Sequence, residues 1–180
     1  YVILREIDFS IGDTLTPEKI DESVIRLQKL GIFSRAEIRT VEEGTNISQR
    51  TVVIKVGERD PGLFNMGAGV TDENDLTYRG FIGFNYSNLG GTARVFTSRA
   101  EVKYARDPNI SFLEHKVSAG YLEPFLFSSR TRGRLNLTRS VDVQDASGPI
   151  ILLESNEIQL LLERDLTRHL KFTWRLWNFE

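Results

Sequence analysis

Residues 17–30, PEKIDESVIRLQKL, place apolar side chains at Ile20, Val24, Leu27 and Leu30, the three-and-four spacing of one helical face. Thr16 is positioned to cap that helix, Pro17 suits its first residue, Glu18 meets the positive end of the helix dipole, and Gly31 is positioned to end it. Upstream, YVILREIDF puts Ile3 and Ile7 on one helical face, with a strand as the alternative, and stops at Gly12-Asp13. Downstream, Ala36 and Ile38, then Val52, Ile54 and Val56, alternate with polar residues on either side of EEGTNISQ. This pattern predicts a hairpin packed on the helices.

Beyond Pro61-Gly62 the period becomes two. In LTYRGFIGFNY, Leu76, Tyr78, Ile82, Phe84 and Tyr86 share one face, with Thr77, Arg79 and Asn85 on the other. Phe96, Ala100, Val102 and Tyr104 oppose Thr97, Arg99, Glu101 and Lys103. Leu113, Val117, Ala119 and Tyr121 oppose Glu114, Lys116 and Ser118, and Leu135, Leu137, Val141 and Val143 oppose Arg134, Asn136, Thr138, Ser140 and Asp142. Ile158, Leu160 and Leu162 against Glu157, Gln159 and Glu163, then Leu170, Phe172, Trp174 and Leu176 against Lys171, Thr173 and Arg175, complete the series. With the glycine-rich stretch 62–70, seven strands are predicted.

A soluble sandwich and a membrane barrel both show this alternation, so the content of each face decides between them. Tyr78, Tyr86, Tyr104, Tyr121 and Trp174 lie on the apolar face, several near segment ends, where an interfacial aromatic girdle would put them. The other face carries charges of both signs, which suits cross-strand ion pairs and water. Segments of about ten residues match the length of a membrane-spanning strand. No run of 18 apolar residues occurs and mean hydropathy is −0.26, which excludes a transmembrane helix but not a barrel. The balance favours the barrel, with a soluble β-rich binding protein under an α/β cap as the alternative from a different class.

Candidate chemistry is sparse. A formal net charge of −2 with no basic tract speaks against nucleic-acid binding, and the absence of cysteine removes thiolate sites. His115 falls on the apolar face and His169 at a turn, with no carboxylate cluster near either, so no metal site is expected. GxSxG, P-loop and HExxH signatures are missing, and Gly67-Ala68-Gly69 lacks the third glycine and following helix of a dinucleotide fingerprint. Glu101 and Glu114 could meet across a hairpin as an acid/base pair, but Lys103 and Lys116 beside them make an ion-pair ladder the better reading. No enzyme and no cofactor are expected.

The order of these pieces resembles the junction between the last POTRA domain and the barrel in the outer-membrane β-barrel assembly-factor superfamily. That superfamily includes the barrel subunit of the β-barrel assembly machinery, the translocation-and-assembly-module relative and the two-partner secretion transporters. The matching features are the Gly12-Asp13 turn, the helix ending in Leu30-Gly31 with Phe33 following, the strand with Val56 and Glu58, and the glycine-rich segment after it. Asn88-Leu89-Gly90-Gly91 is similar to the family's turn after the second barrel strand, and Glu123-Pro124 to its turn after the fourth. The resemblance implies an α+β POTRA-like domain over 1–60, lacking its first strand, then the N-terminal part of an antiparallel transmembrane β-barrel over 61–180. Family barrels are larger than seven strands, so a fragment of a longer chain is expected, and no signal peptide is read at Tyr1.

The implied function is assembly or insertion of outer-membrane proteins without a nucleotide; a secretion pore passing an extended substrate is the alternative within the family. Implied partners are unfolded outer-membrane protein clients, the lipid bilayer and accessory assembly subunits, with no nucleic acid. The implied place is the outer membrane of a Gram-negative-type cell or its organelle equivalent, with the POTRA part in the periplasm. In relatives the first barrel strand pairs weakly with the last and is thought to open toward clients. Here that strand is Gly62, Leu63, Phe64, Asn65, Met66, Gly67, Ala68, Gly69 and Val70. Its glycines would let an edge bend and leave backbone groups free to pair, or they serve only curvature and close packing. For Gly80 and Gly83, curvature is the better reading. A second candidate edge is Arg35, Ala36, Glu37, Ile38, Arg39, Thr40 and Val41, unless Glu42 and Glu43 simply blunt a surface hairpin. Entry from the periplasm would turn residues 71–75, 105–110 and 144–155 outward and 87–91, 124–131 and 165–168 inward.

Overall fold

The computed structural model describes residues 2–41, 49–72, 76–105, 113–144, 151–167 and 170–179. The chain divides into two compact units, Tyr1–Pro61 with Gly90–Ala93, and Gly62–Leu89 with Arg94–Glu180. His169, Glu42 and Glu43 lie outside the described residues, as does most of the polar stretch between the first two strands.

In the first unit α1 (Val2–Glu6) is followed by a turn in which Asp13 N donates to Ser10 O at 3.1 Å and Ser10 N donates to Asp13 Oδ2 at 2.9 Å. Gly12 takes φ +93 there, a left-handed conformation that glycine adopts without steric cost. The helix buries Val2 and Glu6, one position away from the Ile3 and Ile7 stripe, which is half-buried, and it ends before Ile7. α2 (Pro17–Lys29) begins at Thr16, whose hydroxyl accepts from Lys19 N at 3.4 Å. Its most buried residues are Leu27 and Ser23. Ser23 Oγ donates to Lys19 O and accepts from Asp8 N, so a polar residue ties the helix to the segment after α1. Arg26 adds bonds to Asp8 at 2.7 Å and Glu22 at 2.9 Å.

β1 (Phe33–Thr40) and β2 (Val52–Glu58) form an antiparallel pair with Ala36 opposite Val56 and Ile38 opposite Ile54. α2 packs on β1, so Phe33, Ala36 and Ile38 are buried, whereas Val52, Ile54 and Val56 are only half-buried.

The second unit is a single antiparallel sheet of seven strands in chain order, β3 (Gly62–Asp72), β4 (Leu76–Leu89), β5 (Arg94–Ala105), β6 (Leu113–Leu126), β7 (Thr131–Gln144), β8 (Ile151–Asp165) and β9 (Lys171–Phe179). Each strand bonds to its sequence neighbours, and among the described residues β3 and β9 are the edges of the sheet. Asn88, Gly90, Gly91 and Ala93 all take positive φ where the chain reverses after β4.

Two boundaries differ from the sequence reading. Glu123-Pro124 is not a turn: β6 continues to Leu126 through an irregularity between Glu123 and Leu126, and the reversal follows over 127–130. Proline has no N–H for the ladder, and an irregularity is where a strand tolerates it. β8 begins at Ile151, so Ile151, Leu152 and Leu153 belong to a strand rather than to a turn over 144–155.

Candidate functional site

β3 runs unbroken through Gly62–Val70 to Asp72 and pairs with β4 in strict register, Gly62 opposite Tyr86 and Val70 opposite Tyr78. Among the described residues its other edge has no strand beside it, which leaves a row of backbone N–H and C=O groups directed away from β4. Phe64, Met66 and Val70 stand on the apolar face, opposite Phe84, Ile82 and Tyr78. Leu63, Asn65, Gly67 and Gly69 stand on the polar face, opposite Asn85, Gly83, Phe81 and Arg79.

The glycines of this hairpin differ in what surrounds them. A Cβ on Gly67 would lie 2.5 Å from Cε1 of Phe81, whose ring covers the glycine. The guanidinium carbon of Arg99 is in turn 4.1 Å from the centre of that ring, within reach of a cation–π attraction. Gly83 is covered in the same way by the side chain of Asn65, and Gly62 meets the Tyr86 ring at 3.7 Å. At Gly69 nothing lies within 4 Å of an added Cβ. Close cross-strand packing therefore explains Gly67 and Gly83. Phe81 is the residue that sequence reasoning passed over. Its signal was parity, since it is the aromatic in LTYRGFIGFNY that falls on the polar side.

Burial in this unit is inverted relative to a soluble sheet. On the polar face the Glu163 and Glu114 side chains are 13% and 18% exposed, whereas Val117 and Trp174 on the apolar face are 52% and 57% exposed. The polar side chains crowd and shield one another on that face. They pair there: Lys103 with Glu114 at 2.7 Å and Lys171 with Glu163 at 2.9 Å, while Glu101 stands opposite Lys116 and within 3.3 Å of Arg99. This is the ion-pair ladder expected from the sequence, and Glu101 and Glu114 do not face each other. Further along, Asn85, Thr97, Gly120, Asn136 and Gln159 occupy one cross-strand row, in which Asn136 Nδ2 donates to Gln159 Oε1 at 3.1 Å. Around Gly120 a pocket of about 240 Å³ is lined by hydroxyl and amide groups together with Glu157. His115 stands between Val102 and Val141 on the apolar face.

In the first unit, Arg35, Glu37 and Arg39 share the exposed side of β1, with the Glu37 carboxylate bonded to both arginines. Among the described residues the edge of β1 away from β2 has no strand partner. Ala36 and Ile38 point into the core, Thr40 pairs with Val52, and Val41 N donates to Thr51 O at 3.0 Å. An open groove of about 1310 Å³ runs beside Val52 and Ile54 and is lined by Leu4, Ile7, Phe9, Leu15 and Ile20.

No family model matches the sequence. Solved structures do. BamA from Haemophilus ducreyi lacking POTRA domains 1–3 superposes with a TM-score of 0.63 at 17% identity, over 95% of this chain and 31% of that one. CdiB from Acinetobacter baumannii superposes with a TM-score of 0.63 at 15% identity, over 93% of this chain and 32% of that one. The chain thus shares its fold with parts of BamA and CdiB. It spans about a third of the length of these solved relatives. Against that fold, β3 to β9 are an antiparallel series similar to part of the BamA barrel, left open at both ends.

Proposed function

We propose that the second unit is the start of an outer-membrane barrel that assembles client barrel proteins, and that β3 is the edge on which client strands form. The observation that carries this is the open β3 edge bordering a sheet whose apolar face is uncovered. An apolar face of this extent calls for hydrocarbon around it. An unpaired edge at the border of such a face is a template for strand addition. Clients would add main-chain bonds to residues 62–70, driven by pairing and burial without a nucleotide, an enzymatic step or a cofactor. The first unit is read as a POTRA-like domain on the periplasmic side that guides unfolded clients, with β1 from Arg35 to Val41 as a second pairing edge. Accessory subunits and the bilayer are the remaining partners.

The test is disulfide crosslinking in the intact protein reconstituted into liposomes. Single cysteines at Leu63, Asn65 and Gly69, and at Asn136 as a control, are offered an unfolded client carrying one cysteine in its terminal strand. The proposal expects register-dependent crosslinks to the β3 positions during insertion and none to Asn136. Insertion that proceeds with β3 uncrosslinked and unaffected would remove the template role. Secretion through the lumen is the second reading, favoured by the uncharged row from Asn85 to Gln159, which could bond a passing backbone. Crosslinks at Asn136 to an extended substrate, with none at β3, would select it.

A further inference from the structure

Glycines within the strands of the second unit follow one pattern. Gly62, Gly67 and Gly83 each lie against the side chain directly opposite, Tyr86, Phe81 and Asn65 in turn. An added Cβ on Gly80 would meet Cγ2 of Val102, opposite it on β5, at 3.7 Å. One on Gly120 would meet Thr97 Oγ1 at 2.5 Å on one side and Asn136 Oδ1 at 3.1 Å on the other, and one on Gly133 would meet Leu126 at 3.3 Å. These glycines are seats: the missing side chain leaves room for one from the neighbouring strand, which covers the bare peptide group.

Gly69 departs from the pattern. Nothing lies within 4 Å of its added Cβ, although Arg79 stands directly opposite on β4. Gly69 is also on the strand whose other edge has no neighbour among the described residues. Since β4 leaves this seat empty, a strand that adds to β3 is the one placed to fill it, from the polar face.

The chemistry that suits the seat is set out two residues away. Over Gly67 lies the Phe81 ring, with the Arg99 guanidinium carbon 4.1 Å from its centre. At Gly69 the arginine is already present and the ring is not. Arg79 is exposed, and Lys103 on its other side is held by Glu114 at 2.7 Å. A carboxylate could reach Arg79 over alanine as well as over glycine, so charge alone gives no reason for a glycine here. A ring lying flat on the backbone does, because a Cβ beneath it would collide, as the 2.5 Å approach at Gly67 demonstrates. The face of such a ring would meet the Arg79 guanidinium, an attraction that the cation gains without giving up water on its far side.

We propose that Gly69 is the seat for an aromatic side chain on the polar face of the client strand that adds to β3, with Arg79 meeting the ring from β4. The inference rests on the template role given to β3 above and adds a selectivity to it: a client strand is favoured when Phe, Tyr or Trp comes opposite Gly69. Its side chains beside Phe64, Met66 and Val70 are apolar in any membrane-spanning strand and do not discriminate. The choice falls on the inward residue.

The test offers synthetic strand peptides of alternating valine and threonine to the intact protein in phosphatidylcholine vesicles, with a single cysteine at Leu63. Leu63 and Gly69 are six residues apart on one face. Each peptide therefore carries a cysteine and, six positions before it, Phe, Leu, Glu or Ala, which an antiparallel pairing brings opposite Gly69. Disulfide yield reads the pairing. The Phe peptide is expected to give several-fold more crosslink than the Ala and Glu peptides, the scale of one cross-strand aromatic pair. Gly69→Ala should bring Phe down to the Ala level while the folded sheet, read by its heat-dependent gel mobility, is retained, because that Cβ has open space around it. Arg79→Gln should reduce the advantage of Phe over Leu; an unchanged advantage would strike Arg79 from the seat. Equal yields from Phe and Ala, with crosslinks present, would overturn the selectivity and leave β3 as a template. A preference for Glu would overturn it as well, Arg79 then drawing an acid, and a Phe preference that survives Gly69→Ala would place the ring elsewhere. No crosslink from any peptide would remove the template reading together with the inference.

Discussion

Gly67→Ala isolates the reason for a glycine in the middle of β3. The added Cβ would stand 2.5 Å from Cε1 and 2.8 Å from Cζ of Phe81, about 1 Å inside the optimum for a carbon pair. The ring has to swing away, and Arg99 above it loses its seat. An off-rotamer ring costs about 0.5–1.5 kcal/mol, and a lost cation–π contact at an accessible site about 0.5–1 kcal/mol. Against this, alanine recovers roughly 0.5–1 kcal/mol of the backbone entropy that glycine forfeits in a strand. The net expectation is a loss of about 1 kcal/mol. Urea titration of the vesicle-inserted protein, followed by the heat-dependent shift in gel mobility of the folded sheet, measures it. The decisive arm is the double mutant. In a Phe81→Ala background the obstruction is gone, so Gly67→Ala should become neutral or stabilising by up to about 1 kcal/mol. Gly69→Ala, with nothing within 4 Å of its added Cβ, should be neutral or stabilising in either background. If Gly67→Ala costs as much without the Phe81 ring as with it, the packing argument is wrong and the glycine is needed for some other reason.

The remaining expectations concern the cap of α2 and the polar face. Thr16→Ala should lower the melting temperature of the first unit, by an amount corresponding to about 0.5–1 kcal/mol, since the bond from Lys19 N is long at 3.4 Å. The Glu18 backbone N–H and the Thr16 hydroxyl hold the Glu18 carboxyl below its ordinary value of 4.5. Its contribution is thus present above that value and lost as pH falls through the lowered one. Glu18→Gln should lower stability slightly at neutral pH, flatten that part of the acid limb and leave the most acidic stability unchanged; an unaltered acid limb would refute the assignment. A Lys103→Ala and Glu114→Ala cycle should show coupling of about 0.5–1 kcal/mol that shrinks in concentrated salt, because Lys103 is 38% exposed. Coupling insensitive to salt would mean that the pair is desolvated by something covering the polar face.

The periodicities carried most of the architecture. α2 was legible because Ile20, Val24 and Leu27 repeat at helical spacing behind Thr16-Pro17, and the sheet because alternation runs through most of each strand. What escaped was set by parity and register between strands, which a single segment does not display. Phe81 looked like one more aromatic of β4 until the pairing put it opposite Gly67. Ser23 reads as a polar position on α2, yet it is buried because two backbone groups, Lys19 O and Asp8 N, satisfy its hydroxyl. Ile151, Leu152 and Leu153 form an unalternating run beside turn-forming residues, so the start of β8 had no period to mark it. Pro124 signalled a turn, but tertiary pairing carried the strand two residues past it.

With Gly67 explained by Phe81 and Gly83 by Asn65, fewer glycines remain for a flexible gate than the composition of 62–70 suggests. Gly69 alone in the middle of β3 has open space around it, and Gly62 sits at ordinary contact distance from Tyr86. The packing of Phe81 and Asn65 fastens β3 to β4 on the polar side, so any weak seam is the far edge of β3 and not its junction with β4. Under the proposed function, a client strand would then add to an anchored template. Substitutions that loosen the β3–β4 pair, such as Phe81→Ala, should slow client insertion even though they leave the open edge chemically unchanged. A gate working by detachment of β3 from β4 would respond in the opposite sense, with faster insertion in Phe81→Ala, and the sign of that single rate change separates the two mechanisms.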